Sequence, residues 1–262
     1  MTGNTQANAE EAPLPLFYKD PMLLRFEEHG DVGLMPGNDF GFAREAVAIP
    51  LSNGEFATAM RHYPIVFAMD QQASPIALVA IRKDHNLFIE PDGTWTAKSY
   101  VPAYVRRYPF IGMDTPDGAQ QLLSIDRTSA RFVASAKDHA EAQRLFDETG
   151  KPTVVAQNAM AFCHAFHADY ANTVAFGKAL LEAKVLEPYH ADFRLPDGSL
   201  HKVDGFYAVN EQAFRALPEK TVTGWHAKGW LGLAVLHLAS LQSLQNLLDL
   251  NAQRANERKT LA

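Results

Sequence analysis

The chain has 262 residues, 47% of them hydrophobic and 21% charged, which is enough for one large domain or two small ones with a real core. A net charge of −6 excludes a broad basic footprint for nucleic acid. One cysteine, Cys163, excludes an intramolecular disulfide and suits a reducing compartment.

Residues 1–12 are polar and acidic, with neither a basic n-region nor an apolar run. They read as a flexible tail and not as a secretory signal, so a cytoplasmic location is expected. From Pro13 to Phe42, apolar anchors alternate with turn residues, which predicts irregular, extended structure. Ala46–Pro50 predicts a strand. Ser52 and Glu55 have capping-box spacing and open a short helix that Pro64 ends. Ile65–Met69, Ile76–Ile81 and Leu87–Glu90 predict three strands, and Pro91-Asp92-Gly93 a turn.

Next comes the aromatic stretch Trp95–Met113. Tyr100, Tyr104 and Tyr108 are spaced i, i+4 and i+8, so one helix would stack them on one face. Ser99 is the expected N-cap, Pro102 fits the first turn, and Pro109 stops the helix. Arg106 and Arg107 occupy its last turn, where cations complement the dipole. Arg107 follows Tyr104 by three residues and so lies nearer the stripe. It is expected to tie the helix to the body, with Arg106 facing a groove or solvent.

Phe110–Met113, Gln121–Ile125 and Arg131–Ala134 predict further strands, with a turn at Pro116-Asp117-Gly118. Asp138 is expected to cap a helix running to Thr149, closed by Gly150. Pro152 opens a longer helix over residues 153–185. His190–Leu195 and Ser199–Val209 predict a hairpin around Pro196-Asp197-Gly198. Asn210 caps a short helix, Pro218 starts another, and Gly229 precedes a last helix from Trp230 to about Leu250. Its stripe of Leu231, Ala234, Leu238, Leu241 and Leu248 should be buried. The apolar run Trp230–Leu241 is shorter than the roughly 20 residues of a membrane span. Residues 251–262 read as a polar tail.

The order predicts an α+β fold. A mixed or antiparallel sheet with short N-terminal helices packs against a mostly helical C-terminal half that contains one β-hairpin. One domain is expected over residues 13–250.

Three stretches carry a family resemblance: SYVPAYVRRYPF (Ser99–Phe110), LPDGSLHKVDGFYAVNEQAFRALP (Leu195–Pro218) and LAVLHLASLQSLQNLL (Leu233–Leu248). With them the chain resembles the bacterial SapC-like family over residues 13–250. The resemblance implies an association with bacterial surface-layer systems. Similar proteins also stand beside outer-membrane receptor and flavin-halogenase-like proteins. It brings no catalytic residues to carry over.

Candidate chemistry is sparse. Cys163, His164 and His167 share a helix, but the set is incomplete for zinc, and His139, His190, His201 and Asp192 lack ligand spacing, so no metal is expected. Cys163 alone on a helix reads as a small buried hydrophobe. No GxSxG, GxGxxG or GxxxxGK[ST] occurs, so no cofactor is expected. The binding candidates are Tyr100, Tyr104, Arg106, Arg107 and Tyr108, since tyrosine and arginine are enriched at recognition surfaces. The alternative is that the tyrosines pack on the sheet and the arginines pair with internal acids. Trp225, His226, Lys228 and Trp230 form a second cluster, at a helix junction.

The expected function is a non-catalytic binding or accessory protein of a bacterial envelope- or surface-associated system. Its partner would be a protein or a small anionic ligand, with no nucleic acid and no transmembrane segment. The alternative is an enzyme with a dispersed active site acting on a small anionic or peptide substrate.

Overall fold

The structure, a computed structural model, describes residues 14–82, 85–114, 121–194 and 200–261. The expected tail at residues 1–12 and the turns at Pro116-Asp117-Gly118 and Pro196-Asp197-Gly198 lie outside them.

The chain opens with β1 (Pro21–Leu23), α1 (Phe26–His29), β2 (Gly33–Leu34), β3 (Ala48–Pro50) and α2 (Phe56–Ala59). It continues through β4 (Ile65–Ala68), β5 (Pro75–Leu78), α3 (Ala103–Arg107), β6 (Phe110–Asp114) and β7 (Gln121–Asp126). After β8 (Phe132–Val133) and β9 (Gln143–Arg144) comes the long α4 (Val154–Glu182), followed by the hairpin β10 (Leu186–Arg194) and β11 (Leu200–Val209). Four helices close the chain: α5 (Glu211–Arg215), α6 (Glu219–Ala227), α7 (Trp230–Ser240) and α8 (Ser243–Leu261). The strands form a five-stranded antiparallel sheet, β10-β11-β4-β5-β3, and two three-stranded ones, β1-β7-β6 and β8-β2-β9. This is an α+β fold.

Strand β4 shows why its sequence is apolar without alternation. Ile65, Val66 and Phe67 are all fully buried, because both faces of the strand are covered. Phe67 meets Phe176 of α4 and His237 of α7 at ring-centroid distances of 6.1 and 4.9 Å. The α4 backbone passes close to the turn before β5. A Cβ on Gly177 would lie 2.0 Å from the Gln72 carbonyl oxygen, so only glycine fits there.

Helix α7 is bonded to the sheet as well as packed on it. The pairing of β11 with β4 runs from Phe206↔Ala68 to Tyr207↔Phe67. Just beyond, the buried His237 imidazole bridges the two strands. Its Nε2 accepts the Val209 backbone N–H at 3.0 Å, and its Nδ1–H donates to the Ile65 carbonyl at 2.7 Å. One acceptor and one donor on the same ring require the neutral imidazole. Ser240 Oγ accepts the Ile65 N–H at 2.9 Å, so both main-chain groups of Ile65 end on α7. Burial lowers the His237 pKa from 6.5 to about 4.

Two large cores result. One lies between the five-stranded sheet and the helices and includes Phe56, Tyr63, Phe176, Leu180 and Leu247. The other, under the smaller sheets, includes Val32, Leu34, Phe110, Ile125, Leu145 and Cys163. Helix α4 serves both: Ala156 and Cys163 in its first half join the second core, and Phe166, Phe176 and Leu180 join the first.

Several local expectations are corrected. The helix expected from Asp138 to Thr149 is absent; a single 3-10 turn, Ala136–Asp138, is followed by β9. The strand pairing of Gln143 and Arg144 with β2 outweighs helix propensity, and Asp147 Oδ1 takes the Thr149 and Lys151 N–H groups into a turn of its own. Leu87–Glu90 contributes only an isolated bridge, Ile89↔Trp95. The last helix breaks at Leu241–Gln242. The buried residues before the break are Trp230, Ala234, His237 and Ser240, and those just after it are Ser243, Leu244 and Leu247, while Leu238 and Leu241 are half-buried. Residues 251–261 are no tail but the second half of α8: Asn251 is buried, and the Arg254 guanidinium meets the Glu90 carboxylate at 2.6 Å. Taken across the break, Trp230–Glu257 is 28 residues whose most apolar 18-residue window has a mean hydropathy of 1.2, long and apolar enough by length and composition to cross a membrane. A third of its most apolar window is buried, and His237 and Ser240 within it bond to the sheet.

Candidate functional site

The aromatic stretch is positioned by one carboxylate. Glu55 is buried and accepts the Ser52 N–H at 2.8 Å, the Ser52 hydroxyl at 3.0 Å, the Tyr100 hydroxyl at 3.0 Å and the Ala103 N–H at 2.7 Å. The Ser52–Glu55 pair is the expected capping box, and its outward oxygen caps α3. Tyr63, fully buried, donates to the Tyr100 carbonyl. Helix α3 is five residues long, with Pro102, not Ser99, at its N-cap. Pro102 cannot donate a backbone N–H, so the Glu55 carboxylate takes the first free amide.

The five candidate residues therefore separate into three environments. Tyr100 precedes the helix. Its hydroxyl accepts from Arg106, whose guanidinium carbon sits 5.6 Å from the Tyr100 ring centroid and 5.2 Å from that of Phe162. Arg106 is exposed and also donates to the Val101 carbonyl at 3.0 Å. Tyr108 turns the other way, packing its ring 4.1 Å from Phe42 and 5.4 Å from Tyr18.

Tyr104 and Arg107 stay together, in a third place. The Arg107 guanidinium carbon lies 4.5 Å from the ring centroid of Phe166, 4.7 Å from Tyr104 and 5.5 Å from Tyr18. Its Nε is buried without a hydrogen-bond partner, and among the described residues no carboxylate forms an ion pair with it. Tyr104 is held by its hydroxyl donating to the Leu16 carbonyl at 3.2 Å. A cavity of about 320 Å³ opens beside Arg107, lined also by Tyr104, Cys163, Phe166, His167 and Tyr170.

The electrostatics of this cavity are one-sided. Burial raises the pKa of Tyr18, Tyr104 and Cys163, and the nearby Arg107 charge only partly opposes it. The phenols and the thiol are therefore neutral at neutral pH, and among the described residues no carboxylate offsets the guanidinium charge. The arrangement suits an anion: a planar fork for a carboxylate, with aromatic walls beside it. It suits nucleophilic catalysis poorly. Cys163 is 3% exposed and its pKa is raised, the wrong direction for a reactive thiolate.

His164 and His167 are both exposed on α4, and among the described residues no three of His, Cys, Asp and Glu converge. In the second cluster, Trp225 and Trp230 are buried, and Lys228 lies 4.2 Å over the Trp230 ring.

Tyr18 and Phe166 were not among the expected site residues. Phe166 lies on α4 and Tyr18 near the start of the chain, and nothing in their spacing ties either to Arg107.

The SapC family model matches residues 24–247, which include the aromatic stretch, the hairpin and α7. The chain belongs to the SapC family. No curated protein and no solved structure matches this SapC-family chain.

Proposed function

We propose that this SapC-family protein is a non-catalytic binding protein, accessory to a bacterial envelope-associated system, and that its Arg107 cavity takes the anionic group of a small ligand or protein partner. The observation that carries the proposal is the Arg107 guanidinium between Tyr104, Phe166 and Tyr18, paired with no carboxylate among the described residues and open to a cavity. A charge held off water costs free energy unless something offsets it, and an incoming carboxylate would do so. A cytoplasmic location belongs to the same proposal and is supported by the buried free thiol of Cys163. The competing enzyme reading draws on Cys163 and His167 in the same cavity, and the raised thiol pKa weighs against it.

Titration with benzoate, followed by NMR of the arginine Nε–H signals, tests this. One signal should shift in the wild type and vanish in Arg107→Lys, which keeps the charge but loses the fork. Equal benzoate binding by wild type and a folded Arg107→Ala variant would remove the proposal.

A further inference from the structure

A larger cavity, of about 510 Å³, lies on the Tyr108 side of the same segment. Its walls are Phe17, Phe42 and Tyr108, with Phe17 and Phe42 edge to face at 5.2 Å. Phe17 holds a φ of +78°, a left-handed conformation that a bulky residue adopts only when its surroundings enforce it. Such strain concentrates where a side chain has been placed for a purpose.

Charges of both signs line this hollow without an ion pair among the described residues. Arg131 is half-buried. Its Nε donates to the Met35 carbonyl at 2.9 Å, and its backbone N–H donates to Ser129 Oγ at 3.2 Å. The Nε bond holds the guanidinium, and among the described residues no carboxylate pairs with it. Lys19, on the same lining, likewise forms no ion pair among the described residues. On the same lining stand two exposed acids: Asp39 Oδ1 accepts the Gly41 N–H at 2.7 Å, and neither Asp39 nor Glu45 forms an ion pair among the described residues. Asp126, near Tyr108, is already committed to the N–H groups of Lys19, Asp20 and Thr128. Free cations and free acids that share one apolar-walled hollow match a ligand carrying both charges.

We infer that this cavity is a second binding site, for a free aromatic α-amino acid, with its carboxylate on Arg131, its ammonium on Asp39 and Glu45, and its ring against Phe17, Phe42 and Tyr108. The inference is independent of Arg107.

Calorimetry with three probes tests it: L-phenylalanine, 3-phenylpropionate, which lacks the ammonium, and 2-phenylethylamine, which lacks the carboxylate. Phenylalanine should bind roughly tenfold or more tighter than either, since each truncation leaves a charged partner unmet. The double variant Asp39→Asn/Glu45→Gln should lose that advantage and bind 3-phenylpropionate as the wild type does; the substitution at Asp39 keeps an oxygen for the Gly41 amide. Arg131→Lys, checked for folding by its melt, should weaken phenylalanine and spare 2-phenylethylamine. Phenylalanine should leave unmoved the Arg107 Nε–H signal; a shift of that signal would place the ligand in the other cavity and overturn the inference. Equal affinity for the three probes, or no binding of phenylalanine, tyrosine or tryptophan at roughly millimolar concentration, would overturn it as well.

Discussion

Acid should weaken this fold through His237 in a calculable way. The imidazole is fully buried, accepts from Val209 and donates to Ile65, and so must be neutral in the folded state. Its pKa falls from 6.5 unfolded to about 4 folded. The sign follows from linkage. Above 6.5 neither state holds the proton and the stability is intact. Between 6.5 and 4 only the unfolded chain takes it up, so stability drains away as the pH falls. The full window is worth about 3 kcal/mol, and the step from about pH 7 to about pH 5 about 2 kcal/mol. Urea unfolding of the wild type and of His237→Gln at both pH values measures it. The glutamine variant should be less stable at neutral pH, because Val209 and Ile65 lose a ring that served both. Its loss on acidification should be smaller than the wild type's by about 2 kcal/mol. Parallel losses in the two proteins would refute the assignment of a neutral, bridging imidazole.

Glu55→Ala should cost about 3 kcal/mol, because it leaves the Ala103 amide and the Tyr100 hydroxyl without their acceptor; chemical denaturation reads it. Arg107→Ala should lower stability by about 2 kcal/mol through its lost ring contacts, whereas the exposed Arg106→Ala should stay within about 1 kcal/mol of wild type. Thermal melts order the two, and the reverse order would contradict the packing described. Leu247→Ala, at a residue 2% exposed, should cost about 3 kcal/mol, and Leu238→Ala, half-buried, clearly less. Equal costs in urea titrations would contradict the helical phase seen in α7 and α8.

What could be read from the sequence was what short spacing decides. The Ser52–Glu55 box, the Asn210 cap that accepts the Ala213 N–H at 2.8 Å, and the hairpin strands each depend on neighbours within a few residues. The tyrosine stripe failed because i, i+4, i+8 arithmetic assumes one continuous helix, and prolines at 102 and 109 confine it to five residues. Its phase still placed Arg107 inward and Arg106 outward. What surrounds Arg107 could not be read, because Tyr18 and Phe166 come from distant parts of the chain. The Asp138 helix was lost to β2, a partner far away in sequence, and the extension of α8 was hidden because the Arg254–Glu90 contact spans 164 residues.

Helix α4 is 29 residues, about 44 Å of rigid rod, and its two halves are embedded in different cores. A rotation of one core against the other would bend α4 in the turn between its two sets of buried residues. That turn carries Cys163, Phe166 and His167, which form one wall of the Arg107 cavity. The cavity thus sits at the fulcrum. A small guest there would stiffen the whole molecule, and a partner pulling on either end would alter the grip on that guest.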